Sequence, residues 1–428
     1  MNFQYLHPAD QIVMIMERIY NSGMTTTSGG NLSVMDNEGV MWITPSGVDK
    51  GSLKREDIMR VYPDGRIEGR HKPSVEYPFH SSIYKKRPDL RAVLHAHPPA
   101  LVALTLVRQN PEPYLLPNTS IDCGQVEMAP YALPGSAKLG DNISAVFEKG
   151  MNVAMMENHG VVLGAQSLFE AFTMFEALDY SARLQIKALQ LGPYRTLTQE
   201  QMAIYKQKNV PHLKEYRADE PTSGDLELRR ELCDLIKRAY RNGLFSSSQG
   251  TFSTRVDGDN FIITPYGKDR MYLEPQDLVR IENGMVELDK KPSRATKFHM
   301  EIYKQHPEVN SIIMAYPPNI MAFAVTDEEF DARLIPESYI ALKTVRKFPF
   351  GASISDPAKL AAEMTLKNPV AIEENDMLIV VGTSPLNAFD RLEVAEYSAK
   401  SVISTKRMRD IVKISPDEIK EIEVAFNL

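Results

Sequence analysis

The sequence predicts a layered α/β fold, present twice in tandem. Three observations lead there. Strand-like and helix-like apolar runs alternate along the chain. The whole succession then recurs in the second half of the chain. A Pro-Asp-Gly turn inside VYPDGRIEG (61–69) joins two short β-prone runs, so some pairing is antiparallel and the sheet is mixed. At 428 residues the chain also exceeds what one typical core serves.

The elements follow in order. Ile12, Ile15, Met16 and Ile19 lie at helical spacing on one apolar face, with Pro8 suited to the first turn and Gly23 to the stop. A glycine-rich turn, SGGN (28–31), comes next. Paired short strands are expected over VMWITPSG and IMRVYPDGRIEG, a helix over FHSSIYKKRP, and a strand over RAVLHAH. A further helix, a strand over NVAMMENHGVVLG and a long helix complete the unit.

The helix that ends at Gly23 recurs, ending at Gly243. TSGGNLSV (27–34) matches SSQGTFST (247–254), and WITPSG (42–47) matches IITPYG (262–267). KPSVEYPFH (72–80) matches KPSRATKFH (291–299), and AVLHAHPP (92–99) matches SIIMAYPP (311–318). VAMMENHG (153–160) matches VAIEENDM (370–377), and the long helices match as well. Order and near-constant spacing exclude chance. The expected domains are residues 1–215 and 216–428, joined through the charged, Pro/Ser/Gly-containing KEYRADEPTSGD.

Composition narrows the function. A net charge of −7, from 49 basic and 56 acidic side chains, gives no electrostatic footprint for nucleic acid. No stretch approaches the apolar length of a membrane span, and MNFQYLHPADQ lacks the pattern of a secretory signal. Cys123 and Cys233 have no metal-type spacing and favour a reduced, cytoplasmic chain. Neither G-x-x-x-x-G-K-[ST] nor G-x-G-x-x-G occurs, so nucleotide binding is not indicated.

The chemistry-bearing residues sit in the first copy. His95 and His97 alternate on a strand and share a face. His159 lies where another apolar strand ends at a glycine. Three imidazoles with one open position is the ligand pattern of a catalytic divalent metal, zinc first. Glu76, at a helix start after a Pro-Ser turn, can move a proton near such an ion, or merely complement the helix dipole. The turns SGGN and TPSG can aim donors at a phosphate. In the second copy Asn31 becomes Thr251, Ser46 becomes Tyr266 and Glu76 becomes Ala295. His95, His97 and His159 become Met314, Tyr316 and Asp376. The scaffold persists while the ligands, base and phosphate donors go, a pattern that structural histidines do not predict.

As an ordered set, SGGN, TPSG, PSxE, HAHPP and ENHG resembles the class II aldolase/adducin family. The resemblance covers nearly all of the first copy and the scaffold of the second. It implies a three-layer α/β/α domain with a mostly antiparallel central sheet. It implies a zinc-type ion on His95, His97 and His159, Glu76 as acid/base, and phosphate contacts from Asn31, Ser46, Gly47 and Ser74. Val75 stands where such aldolases often carry a second serine, and Leu116 stands near the place of their proton-donating tyrosine. The expected activity is an aldolase (a lyase) acting on a ketose 1-phosphate through a metal-stabilised enediolate. The alternatives are a sugar-phosphate dehydratase and a non-catalytic adducin-like assembly module. The family's fourfold rings imply a homodimer that mimics a tetramer.

Overall fold

The computed structural model describes residues 3–406 and 408–428. Helix α1 (Pro8–Asn21) opens the first unit. His7 caps it by accepting from the Ala9 N–H, and Gly23 closes it at φ +67°. Ile12, Ile15, Met16 and Ile19 are fully buried or nearly so. Burial of such side chains is worth about 1.5–3 kcal/mol each, against about 1 kcal/mol for a cap, so the apolar stripe dominates.

The strands of this unit are β1 (Asn31–Met35), β2 (Met41–Ile43), β3 (Met59–Val61), β4 (Ile67–Glu68), β5 (Ala92–Ala96), β6 (Val126–Ala129), β7 (Val153–Met156) and β8 (Val161–Ala165). They form one sheet in the order β4-β3-β2-β1-β5-β8-β7-β6. Every pair is antiparallel except β6 with β7.

Helices α2 (Tyr77–Lys86), α3 (Pro99–Leu106), α4 (Pro117–Cys123), α5 (Ala137–Glu148) and α6 (Leu168–Leu191) complete the layers. Phe79 and Ile83 of α2, with Leu139, Ile143 and Phe147 of α5, pack on the sheet face that carries Val93, Ala154, Met156 and Val162. Ser33 of β1 meets Tyr84 of α2, so Leu32 and Val34 point to the opposite face. There α1 lies against β1 and β2, with the Arg18 guanidinium over the Phe172 ring of α6. The fold is the expected α/β/α sandwich with a mostly antiparallel sheet.

The second unit repeats it. Its strands are β9 (Glu215–Tyr216), β10 (Thr251–Asp257), β11 (Asn260–Ile263), β12 (Val279–Glu282), β13 (Met285–Glu287), β14 (Ser311–Ala315), β15 (Val345–Phe348), β16 (Val370–Glu373) and β17 (Met377–Gly382). Their order is β15-β16-β17-β14-β10-β11-β12-β13-β9. The extra edge strand β9 pairs parallel with β13.

Two expectations differ from the structure. NVAMMENHGVVLG is not one strand but β7 and β8 joined by a tight turn. Asn158 in that turn adopts φ +54°, a left-handed conformation that asparagine tolerates. The compact units divide near Arg183, not at residue 215: Leu184–Leu428, with Leu115–Pro117, form the second. The segment before KEYRADEPTSGD therefore packs with the second copy. Both cysteines are free and buried.

Candidate metal centre and active site

Three parts of the first sheet converge on one point. β5 delivers His95, and His97 follows one residue past its end. The β7–β8 turn delivers His159, and the turn before α2 delivers Glu76. One ligand atom from each histidine lies within 4.8 Å of the others. The His95 ring centroid is 4.5 Å from that of His97 and 5.0 Å from that of His159. A glycine makes this possible: a Cβ at Gly29 would stand 2.8 Å from His97 Nδ1.

Hydrogen bonds orient the donors. His95 Nδ1–H donates to the Val161 carbonyl at 2.9 Å, which leaves its Nε2 lone pair facing inward. Burial, then the nearby His159, pushes His95 down to about 3. Burial, then His95 and His159, pushes His97 down to about 3 as well. Burial also lowers His159, against the pull of Glu76. Burial thus favours the neutral form of all three rings, the form that binds metals.

Glu76 does not cap its helix; its side chain makes no capping hydrogen bond. Its Oε2 lies 3.3 Å from His95 Nε2, and its Oε1 lies 3.9 Å from His159 Nε2. Among the described residues, His95 Nε2, His97 Nε2 and Glu76 Oε1 are buried without a hydrogen-bond partner. Acceptor atoms gathered in a dry place repel one another and lose their hydration. A cation removes both costs, and three imidazoles suit a zinc-type ion. The residues fit the group.

Of the expected phosphate contacts, Ser74 is buried and its hydroxyl accepts from the Glu76 N–H at 3.3 Å. Ser46 is half-buried and Gly47 exposed at φ +70°, in a turn tied to the PS segment by Ser46 N–H to the Lys72 carbonyl. Asn31 is committed within the protein: its Nδ2 donates to Glu76 Oε2 at 2.8 Å, and its Oδ1 meets His80 Nε2 at 2.5 Å. His80 escaped the sequence reading. The FH dipeptide persists in both copies, which marked it as scaffold.

In the second unit, Met314, Tyr316 and Asp376 are buried at the matching positions. Lys208, from the stretch after α7 (Gln199–Tyr205), places its Nζ 3.4 Å from Asp376 Oδ2 and 5.2 Å from the Tyr205 ring centroid. Burial opposes its charge, yet Asp376 holds its pKa above the ordinary lysine value. Burial, then Asp376, pushes Glu373 up to about 7. Lys208 lies outside the repeated segments, so no pairing of copies could point to it.

Comparisons with known proteins give the family. The family model described as "Class II Aldolase and Adducin N-terminal domain" matches residues 10–186 and again 230–403. The chain belongs to this family, in two copies. It is 33% identical over 200 residues to a 5-deoxy-D-ribulose 1-phosphate aldolase of Bacillus thuringiensis serovar kurstaki, covering 45% of this chain and 91% of that one. It is 32% identical over 182 residues to a 3-oxo-tetronate 4-phosphate decarboxylase of Haemophilus influenzae, covering 40% of this chain and 84% of that one. A solved structure of an L-fuculose 1-phosphate aldolase is 30% identical, with 47% of this chain and 95% of that chain covered and a TM-score of 0.43. Among the described residues no helix is long and apolar enough to cross a membrane.

Proposed function

We propose that the first unit is a metal-dependent lyase that cleaves or forms a C–C bond in a ketose 1-phosphate. The observation that carries this reading is the convergence of Glu76 on the three-histidine cluster, with His95 Nε2, His97 Nε2 and Glu76 Oε1 buried and unpartnered. His95, His97 and His159 would hold the ion, zinc or another divalent metal. When bound, it supplies Lewis-acid polarisation of the substrate carbonyl and stabilises negative charge developing on oxygen.

The chain's own residues do the rest. Glu76 donates a proton to the carbon released in cleavage and removes it in condensation. The Ser46–Gly47 turn and Ser74 hold the phosphate, at the start of α2 where backbone N–H groups are available. Relatives named as aldolases of 1-phosphorylated sugars support this substrate class. A second reading, decarboxylation of a phosphorylated 3-oxo acid, is favoured by the Haemophilus influenzae relative. It also develops charge on a carbonyl oxygen and needs a proton at carbon. The oligomer expected from the resemblance, a homodimer that mimics a tetramer, belongs to the same proposal.

The test is a screen of metal-loaded protein against phosphorylated ketoses and phosphorylated 3-oxo acids, with products read by NMR. An aldehyde with a phosphorylated ketone supports the aldolase, carbon dioxide supports the decarboxylase, and loss of water alone identifies a dehydratase. Sedimentation tests the oligomer: a monomer with full activity contradicts the dimer.

A further inference from the structure

We propose that the second unit binds a small phosphate-bearing anion, gripped by the Arg294 guanidinium at the start of the helix Thr296–Gln305. This goes beyond the lyase reading and does not depend on it.

The duplication exposes the change. The turn before α2 reads Val75-Glu76, and the matching pair in the second unit is Arg294-Ala295. A helix start favours negative charge, because its first N–H groups lack partners inside the helix. α2 has Glu76 there. The second helix has the reverse: Arg294 stands just before it, Lys297 lies in its first turn, and no acid does. Ala295, at the cap position, makes no side-chain hydrogen bond. The scaffold around the two helix starts does not explain the reversal, because it is the same. Ser33 Oγ meets His80 Nδ1 at 2.7 Å and Tyr84 OH at 2.8 Å, tying α2 to β1. Ser253 Oγ meets His299 Nδ1 at 2.7 Å and Tyr303 OH at 2.7 Å, tying the second helix to β10.

Arg294 has no ionic partner of its own. Its guanidinium carbon lies 5.5 Å from the Tyr205 ring centroid and 5.7 Å from that of Tyr266, and Nη2 donates to the Tyr205 hydroxyl at 3.3 Å. Among the described residues no carboxylate pairs with it. Lys208 shares the Tyr205 ring, with Nζ 5.2 Å from its centroid, and Asp376 faces Lys208. A half-buried guanidinium stacked on rings, with donors of its fork unused, is suited to an oxyanion. The adjoining Tyr266–Gly267 turn has an open side: Tyr266 is exposed, and a Cβ on Gly267 would meet nothing within 4 Å.

A second observation points the same way. Gln249 is more than nine-tenths buried, yet its side-chain oxygen has no partner. It replaces Gly29, the position whose Cβ would press on the His97 ring. Tyr316 takes the place of His97 in the second unit, within electrostatic reach of Arg294. An amide that no partner fixes can turn its NH2 towards a ligand oxygen. Ser246, whose carbonyl accepts from the Gln249 N–H, also has a buried hydroxyl without a partner. With Ala295 in place of the base and Met314, Tyr316 and Asp376 in place of the histidines, this site binds its anion without transforming it.

The experiment uses the full chain, inorganic phosphate as the probe, and sodium chloride at equal ionic strength as the control. Amide hydrogen exchange read by mass spectrometry follows peptides spanning 262–270 and 291–300 separately from those spanning 42–47 and 72–80. The expected result is a saturable, phosphate-dependent slowing in the second-unit peptides. Arg294→Val installs the residue that the first unit folds with at this place, and Arg294→Gln keeps a donor for Tyr205 without the charge. In both variants half-saturation should need at least about tenfold more phosphate, the worth of one charge-assisted hydrogen bond, with the first-unit peptides unchanged. No slowing in the second unit of wild type, the same slowing with chloride, or equal half-saturation in both variants overturns the proposal. Slowing confined to the second unit supports it and removes only the phosphate grip assigned to the first.

Discussion

The two units carry the same sheet and the same Ser-His-Tyr pillar, yet they treat buried charge in opposite ways. The first gathers three imidazoles and a carboxylate and leaves lone pairs unmatched. The second sets the ammonium of Lys208 against Asp376 Oδ2, although Asp376 Oδ1 and Glu373 Oε2 are likewise buried without a hydrogen-bond partner. One copy holds a cluster that could bind a cation, and the other holds a lysine of its own at the matching place. The difference shows that the scaffold does not need the metal cluster, since a unit without it closes around an internal ion pair. The histidines of the first unit therefore need a reason beyond folding.

The largest expected effect breaks the comparison on the catalytic side. Glu76→Gln should lower turnover by about 10²–10⁴-fold, the usual worth of a positioned acid/base, with metal content unchanged. Steady-state kinetics beside elemental analysis checks it, and full activity removes Glu76 from its role.

Next, Lys208→Met leaves Asp376 buried without its counter-charge. It should destabilise the protein by about 3–5 kcal/mol in denaturant unfolding. Lys208→Met combined with Asp376→Leu should recover most of the loss. An equal loss in single and double variants means that the pair is not what holds Lys208.

A smaller effect lies at Gly29, matched by Gln249 in the second unit. Gly29→Ala pushes a Cβ against His97 and should weaken zinc affinity by about 10-fold, measured by chelator competition. Unchanged affinity means that His97 can shift without cost.

The smallest effect is pH-dependent. Burial raises Glu373 from an ordinary value near 4.5 to about 7, so the folded state holds this proton more tightly than the unfolded chain. Its stabilising contribution is full below about pH 4.5 and is lost as pH rises towards 7. Glu373→Gln should remove that slope from unfolding measurements across the window, and an unchanged slope locates the proton elsewhere.

Much of this was legible in the sequence because duplication supplied a built-in control. The three histidines stood out by being replaced together, and the alternation HxH put His95 and His97 side by side, as the structure shows. The fold class followed from alternating periods and one hairpin turn. Less was legible where tertiary contacts decide. The β7–β8 turn hides inside a continuous apolar run, because both strands are buried and neither shows alternation. The domain boundary was misplaced because the linker's composition marks only its exposed part, whereas residues from Leu184 onward pack with the second unit. Asn31 read as a turn residue, yet it begins β1 opposite His95. His80 and Lys208 carried no local signal, since their meaning lies in partners distant in sequence.

The central claim is one live metal site and one replaced by an internal ion pair. Elemental analysis of purified wild-type chain, beside a His95→Ala/His97→Ala variant, tests it most directly. The account predicts about one divalent ion per chain in wild type and none in the variant. Two ions per chain, or one that survives the double substitution, would contradict it.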